Sequence, residues 1–183
     1  MILNRCVKAS FTSGSIYGNP CEQQYGSTFT DIVADQTYPN LVTALTAVRI
    51  RAPRATVVIL GYPRVMPDAG VPASYPAMPI SMGDVPYVTH WEETLNRAVE
   101  KAAAETGALF IDMWPSSADR DACKSVNQRW IEPLIKPANA DPVHPTARVR
   151  QRWPGKRRTN SVSTNATATG DLARLIGCPL PSF

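Results

Sequence analysis

Thr56-Val57-Val58-Ile59-Leu60-Gly61 is an unbroken run of β-branched and aliphatic residues closed by a glycine. A strand with one wet face alternates apolar and polar residues. A run without alternation is buried on both faces, as in a parallel sheet covered by helices. The flanking chain supplies those helices. Upstream, a helical pattern runs with interruptions from about Phe29 to Ile50, and Leu41, Leu45 and Val48 fall at i, i+4 and i+7. That spacing should lay one apolar face against the sheet. Ala52-Pro53 ends the helix, because proline cannot continue the backbone bonding. Downstream, a second helix is expected from about Tyr87 to Glu105, with Trp91, Leu95, Ala98 and Ala102 inward. Glu92, Glu93, Arg97, Glu100, Lys101 and Glu105 lie largely on the solvent side of that pattern. Gly107 stops it. Ala108-Leu109-Phe110-Ile111-Asp112-Met113-Trp114 then reads as a second buried strand. Helix, strand, helix, strand at this spacing predicts the α/β class, a parallel sheet with helices over it.

Length and composition fit one domain with a real core. The chain has 183 residues, 44% apolar and 19% charged, which is the ordinary globular range. No stretch approaches the roughly 18 to 20 consecutive apolar residues of a membrane-spanning helix. Met1-Ile-Leu-Asn-Arg-Cys6 lacks the basic and apolar regions of an export signal, so any such signal is expected upstream. The net charge of +4 is set by Arg148, Arg150, Arg152, Lys156, Arg157 and Arg158, a run with no acid between Pro145 and Gly170. The rest of the chain is net acidic. Residues 148 to 183, basic and then rich in Ser and Thr, are therefore expected to form a poorly ordered tail on a domain spanning 1 to 147. Such a tail offers weak grounds for polyanion binding, and no nucleic-acid partner is expected.

Three other stretches are irregular. Residues 10 to 28 are turn-rich, and six prolines between Pro63 and Pro86, without any period, predict a long surface loop over 64 to 86. A short helix is expected near Asp121 to Trp130. Of the four cysteines, Cys6, Cys21, Cys123 and Cys178, no pair has the close spacing of a zinc or redox site, and no metal or cofactor is implied. Cys6 and Cys21 bracket a loop of about 15 residues whose closure by a disulfide would stabilise the fold by about 3 kcal/mol. Such a bridge needs an oxidising compartment.

The chain has two histidines. His90 begins an amphipathic helix, where a capping or structural role is expected. His144 stands between Pro142-Val143 and Pro145, three residues after Asp141. That carboxylate can reach the imidazole, fix its tautomer and stabilise the imidazolium formed when a hydroxyl is deprotonated, which is the arrangement a general base needs.

Taken in order, Leu41 to Pro63, Leu95-Asn96 with its alanine-rich helix, Phe110-Ile111-Asp112, Cys123, Trp130 and Asp141-Pro142-Val143-His144-Pro145 resemble the secreted, actinobacterial-type SGNH (GDSL) hydrolases. The likeness covers about Met1 to Ala147. It implies a flavodoxin-like three-layer α/β/α fold, incomplete at its N-terminus, and a carboxylic ester hydrolase of the esterase/lipase kind acting on small-molecule or lipid esters. The family's closing D-x-x-H block falls on Asp141 and His144, so His144 would be the base and Asp141 its orienting acid. Secretion follows from the same likeness. The family's blocks that hold the serine nucleophile and the oxyanion-hole glycine and asparagine have no counterpart here, and Met1 to Cys6 resembles the segment that follows them. Ser13 and Ser15 follow no buried strand and form no G-x-S-x-G turn. The chain alone is therefore expected to lack a nucleophile and to be inactive. In the family the counterpart of Cys123 tends to pair with a cysteine in the loop after Gly61-Tyr62-Pro63; residues 64 to 86 contain none, which leaves Cys123 as a thiol or bridged to Cys178. The competing expectation is a degenerate hydrolase-like binding module whose basic tail contacts polyanions.

Overall fold

A computed structural model describes residues 2–68 and 76–152. Along the chain come α1 (Ile2–Ser13), α2 (Pro20–Tyr25), α3 (Thr28–Ile32), a π-helical turn (Val33–Thr37), α4 (Tyr38–Arg51), β1 (Val58–Leu60), α5 (Val85–Thr106), β2 (Leu109–Ile111) and α6 (Ala147–Arg152). The two strands pair in parallel, with Val58 opposite Leu109, Ile59 opposite Phe110 and Leu60 opposite Ile111. Successive side chains of a strand point to opposite faces. Ile59 and Phe110 accordingly join Leu45 of α4 and Ala102 and Ala103 of α5. Leu60 and Ile111 join Met113, Trp130 and Val149 of α6 on the other side. α4 and α5 lie over one face of the parallel sheet and α6, with Met113 and Trp130, over part of the other, an α/β/α layering in which the strands are only half-buried and Leu109 is exposed, short of the burial on both faces expected from their apolar runs. The expected helix over Phe29–Ile50 forms with a π-helical turn ahead of Pro39, whose missing N–H would otherwise interrupt the α-helical ladder. Within α4, Leu45 is buried while Val48 is exposed. Gly107 ends α5 in the left-handed conformation, φ 68°, as its position predicts.

Residues 10 to 28 are more helical than their turn-rich composition suggests. α1 runs on to Ser13, and α2 is a helix from Pro20. Proline pre-sets the first helical turn of α2. The free N–H groups of Cys21 and Glu22 donate to the two carboxylate oxygens of Asp84, each at 2.9 Å, from 63 and 62 residues away. Cys6 of α1 and Cys21 of α2 form the expected disulfide, with Cα atoms 4.9 Å apart and both residues fully buried. Replacing both by alanine is expected to lower stability by about 3 kcal/mol, read as a lower denaturant midpoint with little change in slope.

The long proline-rich segment is not confined to the surface. In its described parts, Met66, Met78 and Ile80 are essentially inaccessible and belong to the main core with Ile2, Leu3, Phe29, Val85 and Val88. Irregular backbone can be buried when its polar groups find partners. Here Ser81 donates its N–H to Ser10 Oγ at 2.8 Å and Met82 donates to the Ile16 carbonyl at 2.8 Å. The prolines contribute by having no N–H to satisfy. The helix expected near Asp121 to Trp130 is replaced by turns, because Asp121 turns its carboxylate onto the Cys123 N–H at 2.9 Å, a local bond that competes with helix. The domain boundary expected at Ala147 is crossed by α6, where Val149 is 3% exposed. The remainder of the expected tail, and with it Cys178 and its expected bridge to Cys123, lies outside the described residues.

Candidate active site

His144 closes a four-residue turn. Its N–H donates to the Asp141 carbonyl at 3.0 Å, Pro142 occupies the second position and Val143 the third with φ 61°. A proline followed by a positive φ is the type II arrangement, which ordinarily takes glycine or asparagine at the third position. A β-branched residue there is strained by about 1–3 kcal/mol, a cost that persists only when the surroundings hold it. They do so from Trp130–Glu132: Val143 donates to the Glu132 carbonyl, Glu132 to the His144 carbonyl, and Thr146 to the Trp130 carbonyl, at 3.0, 3.0 and 2.7 Å. An isolated antiparallel bridge between Ile131 and Pro145 completes the clamp.

The turn settles the imidazole. His144 Nδ1 lies 2.9 Å from the Pro142 carbonyl oxygen. A carbonyl can only accept, so a hydrogen bond here puts the ring proton on Nδ1 and leaves the Nε2 lone pair available. The ring is exposed. Among the described residues the Asp141 carboxylate makes no hydrogen bond to this ring; the partner expected of Asp141 is supplied by the main chain one residue on. No serine oxygen among the described residues bonds to the ring either. Ser13 and Ser15 are engaged locally, Ser13 Oγ with the Ser10 carbonyl and Ser15 Oγ with the Tyr17 N–H. His90 is exposed on α5; its carbonyl accepts from Thr94 Oγ1, and its ring makes no hydrogen bond among the described residues.

The chain that leaves β1 is pinned by two polar side chains of α5. Asn96 accepts the Tyr62 N–H at 2.6 Å and donates to the Tyr62 carbonyl at 3.0 Å. One turn earlier, both carboxylate oxygens of Glu92 lie 3.1 Å from the Val65 N–H. Glu92 was assigned above to the solvent face of α5 and is in fact 2% exposed. The buried stripe of α5 passes through Val88, Glu92, Asn96, Val99 and Ala103, one position round from the apolar pattern. Burial drives the Glu92 pKa up to about 8, against weaker opposing effects of the Val65 N–H and of Arg64. A carboxyl whose pKa rises on folding keeps its proton in the native state while the unfolded chain loses it. Stability therefore falls as pH rises from about 4.5 to about 8, by at most about 1.4 kcal/mol per pH unit. Glu92→Gln keeps an acceptor for Val65 and is expected to match the parent near pH 4 and exceed it by about 1–3 kcal/mol at pH 7. Denaturation curves across this range check the sign.

Residues 18–152 match the model of the GDSL-like Lipase/Acylhydrolase family. The chain belongs to that family. Lipase 2 of Streptomyces coelicolor is 42% identical over 145 residues, which cover 79% of this chain and 49% of that protein. An esterase of Streptomyces scabiei is 31% identical over 85 residues, 42% of this chain and 25% of its own length. Two solved structures share the fold. The phospholipase A1 of Streptomyces albidoflavus superposes with a TM-score of 0.62 at 23% identity, over 80% of this chain and 56% of that one. An extracellular lipase of Streptomyces rimosus gives 0.58 at 21% identity, over 79% and 57%. The GDSL-like chain spans about half the length, or less, of the curated relatives it matches. Among its described residues no group of three or more His, Cys, Asp or Glu is placed to hold a metal ion, and no helix is long and apolar enough to cross a membrane.

Proposed function

We propose that His144 is the general base of a serine ester hydrolase whose nucleophile this chain does not itself provide. The observation that carries the reading is the Nδ1 contact with Pro142, which orients the ring and leaves an exposed Nε2 free to take a proton. In the complete enzyme a serine hydroxyl attacks the acyl carbonyl while Nε2 accepts its proton. The imidazolium then returns that proton to the departing alkoxide, and water repeats the cycle on the acyl-enzyme. The developing positive charge is met at Nδ1 by the Pro142 carbonyl. Asp141, one turn position behind, contributes through its charge. The loop after β1, fixed by Glu92 and Asn96, borders the acyl pocket. Small-molecule or lipid esters are the substrate class that the names of the relatives support. The Cys6–Cys21 bridge supports an extracellular setting.

A chromogenic short-chain ester tests this directly. The chain alone is expected to hydrolyse it no faster than buffer. Joined to the part of Lipase 2 that lies outside the matched segment, it is expected to turn over the ester in a manner that depends on His144. Turnover by the chain alone that vanishes in His144→Ala would refute the missing nucleophile and keep the base. Turnover of the joined protein that survives His144→Ala would refute the base.

A further inference from the structure

A polar cleft of about 480 Å³ opens beside the clamp that holds the His144 turn, with Trp130 and Thr146 of that clamp in its wall. Its remaining polar lining comes from Arg120, Asn127, Gln128, Asn139 and Arg148, and no Asp or Glu lines it. The volume is that of a small-ligand site, and among the described residues its lining holds two guanidinium groups and three carboxamides but no Asp or Glu, although Asn139 Nδ2 also donates to the Glu132 carboxylate and Gln128 Nε2 to the Asp119 carbonyl. Arg148 is committed to holding the cleft together, donating to the Asn127 carbonyl and to Asn127 Oδ1. Arg120 is the group left over. Its guanidinium carbon sits 5.0 Å from the centroid of the buried Trp130 indole, half-buried, and its side-chain N–H groups make no hydrogen bond among the described residues. The nearby acids are engaged elsewhere, Asp119 and Asp121 with Lys124, and Glu132 with Arg129. An arginine held over an aromatic ring, with its donor fork unspent and no carboxylate paired to it among the described residues, is available for a bidentate oxyanion.

We infer that this cleft binds a phosphate group, with Arg120 as its principal donor and Arg148 and the carboxamides of Gln128 and Asn139 around it. The phosphate is either a free anion or the headgroup of an amphiphile, and the chemistry of recognition is the same. This inference goes beyond the hydrolase reading and is measured without turnover, so either can fail while the other stands.

Calorimetric titration of the full chain with inorganic phosphate, and with a short-chain phosphatidylglycerol below its micellar concentration, tests it. A neutral short-chain triacylglycerol serves as the control. Saturable binding of at least one phosphate compound, weakened at high salt and absent for the control, is expected. Arg120→Gln is expected to weaken it at least tenfold. Arg120→Lys, which keeps charge but loses the fork and the stacking, is expected to fall between the two. Tighter binding of the lipid than of phosphate identifies the headgroup as the source, and equal binding identifies the free anion; both sustain the site. The basic run of the tail is the rival explanation. Lys156→Gln, Arg157→Gln and Arg158→Gln together should leave the affinity within about twofold. Binding lost in that triple variant but kept in Arg120→Gln, or no saturable binding of either compound, overturns the inference. Should Arg120→Gln fail to fold, Gln128→Ala on the exposed rim replaces it, with a smaller loss expected and no loss counting against the site.

Discussion

On the proposed role as general base, His144→Ala, in this chain joined to the rest of Lipase 2, is expected to reduce kcat/KM by about ten-thousand-fold or more, almost entirely in kcat. Removing the base of a serine-histidine unit costs that much because nucleophile activation and leaving-group protonation are lost together. Ester binding loses little, since the ring is exposed at the tip of a turn. The companion variant is more discriminating. When a carboxylate fixes the tautomer of the base, its conversion to the amide costs about ten-thousand-fold in kcat. Here the Nδ1 partner is the Pro142 carbonyl at 2.9 Å, which no side-chain substitution removes. Asp141→Asn is therefore expected to cost about tenfold or less, through the lost negative charge alone. Steady-state kinetics of the two variants on one chromogenic ester decide the matter. A collapse in Asp141→Asn equal to that in His144→Ala would mean that the carboxylate takes the ring during turnover.

These outcomes turn on features that differ in how visible they are along the chain. The layered fold was legible because uninterrupted apolar runs flanked by helical patterns mark a covered parallel sheet, and both runs became strands, trimmed to Val58–Leu60 and Leu109–Ile111 and less buried than such runs imply. His144 stood out along the chain for its place between Pro142 and Pro145, three residues after Asp141, and the structure sets it exposed at the end of a turn. Its partner did not stand out. A main-chain carbonyl is present at every residue, and only the positive φ of Val143 singles out that of Pro142. Glu92 and Asp84 were missed for a different reason. Each is a carboxylate whose bonding partners are backbone N–H groups in segments remote along the sequence, Val65 for one and Cys21 and Glu22 for the other. Amphipathic patterning sorts residues by polarity and cannot register that a polar side chain is buried to satisfy a distant backbone. The Ser-rich stretch before α2 misled in the same way, since its helix is capped by Asp84 rather than by any residue of its own.

Glu132→Ala is expected to be the most destabilising single substitution in the described part of the molecule, at about 3–5 kcal/mol. Glu132 is fully buried. It accepts from Arg129 at 2.5 Å, from the Ala138 N–H at 2.9 Å, and from the N–H and the amide of Asn139 at 3.1 and 3.2 Å. Burial alone would raise its pKa, but these donors outweigh it and hold the carboxyl below its usual value. The group is therefore charged in the native state, and it contributes stability above the ordinary carboxylate range that is lost as pH falls through its lowered value. Truncation strands the guanidinium of Arg129, only 8% exposed and already with an unpartnered Nε, in a site built for an anion. Removing both charges with Arg129→Met and Glu132→Leu should recover only part of the loss, because an apolar pair needs no counter-charge but leaves the Ala138 and Asn139 N–H groups without their acceptor. Chemical denaturation of the single and double variants measures this, and additive losses would contradict the pairing. The consequence reaches His144, since the backbone of Glu132 holds both Val143 and His144. With that anchor loosened, the strained φ at Val143 has less to maintain it. In this chain joined to the rest of Lipase 2, even the rescued double variant should then lose turnover to the extent that its side chains fail to hold the Trp130–Glu132 segment in place.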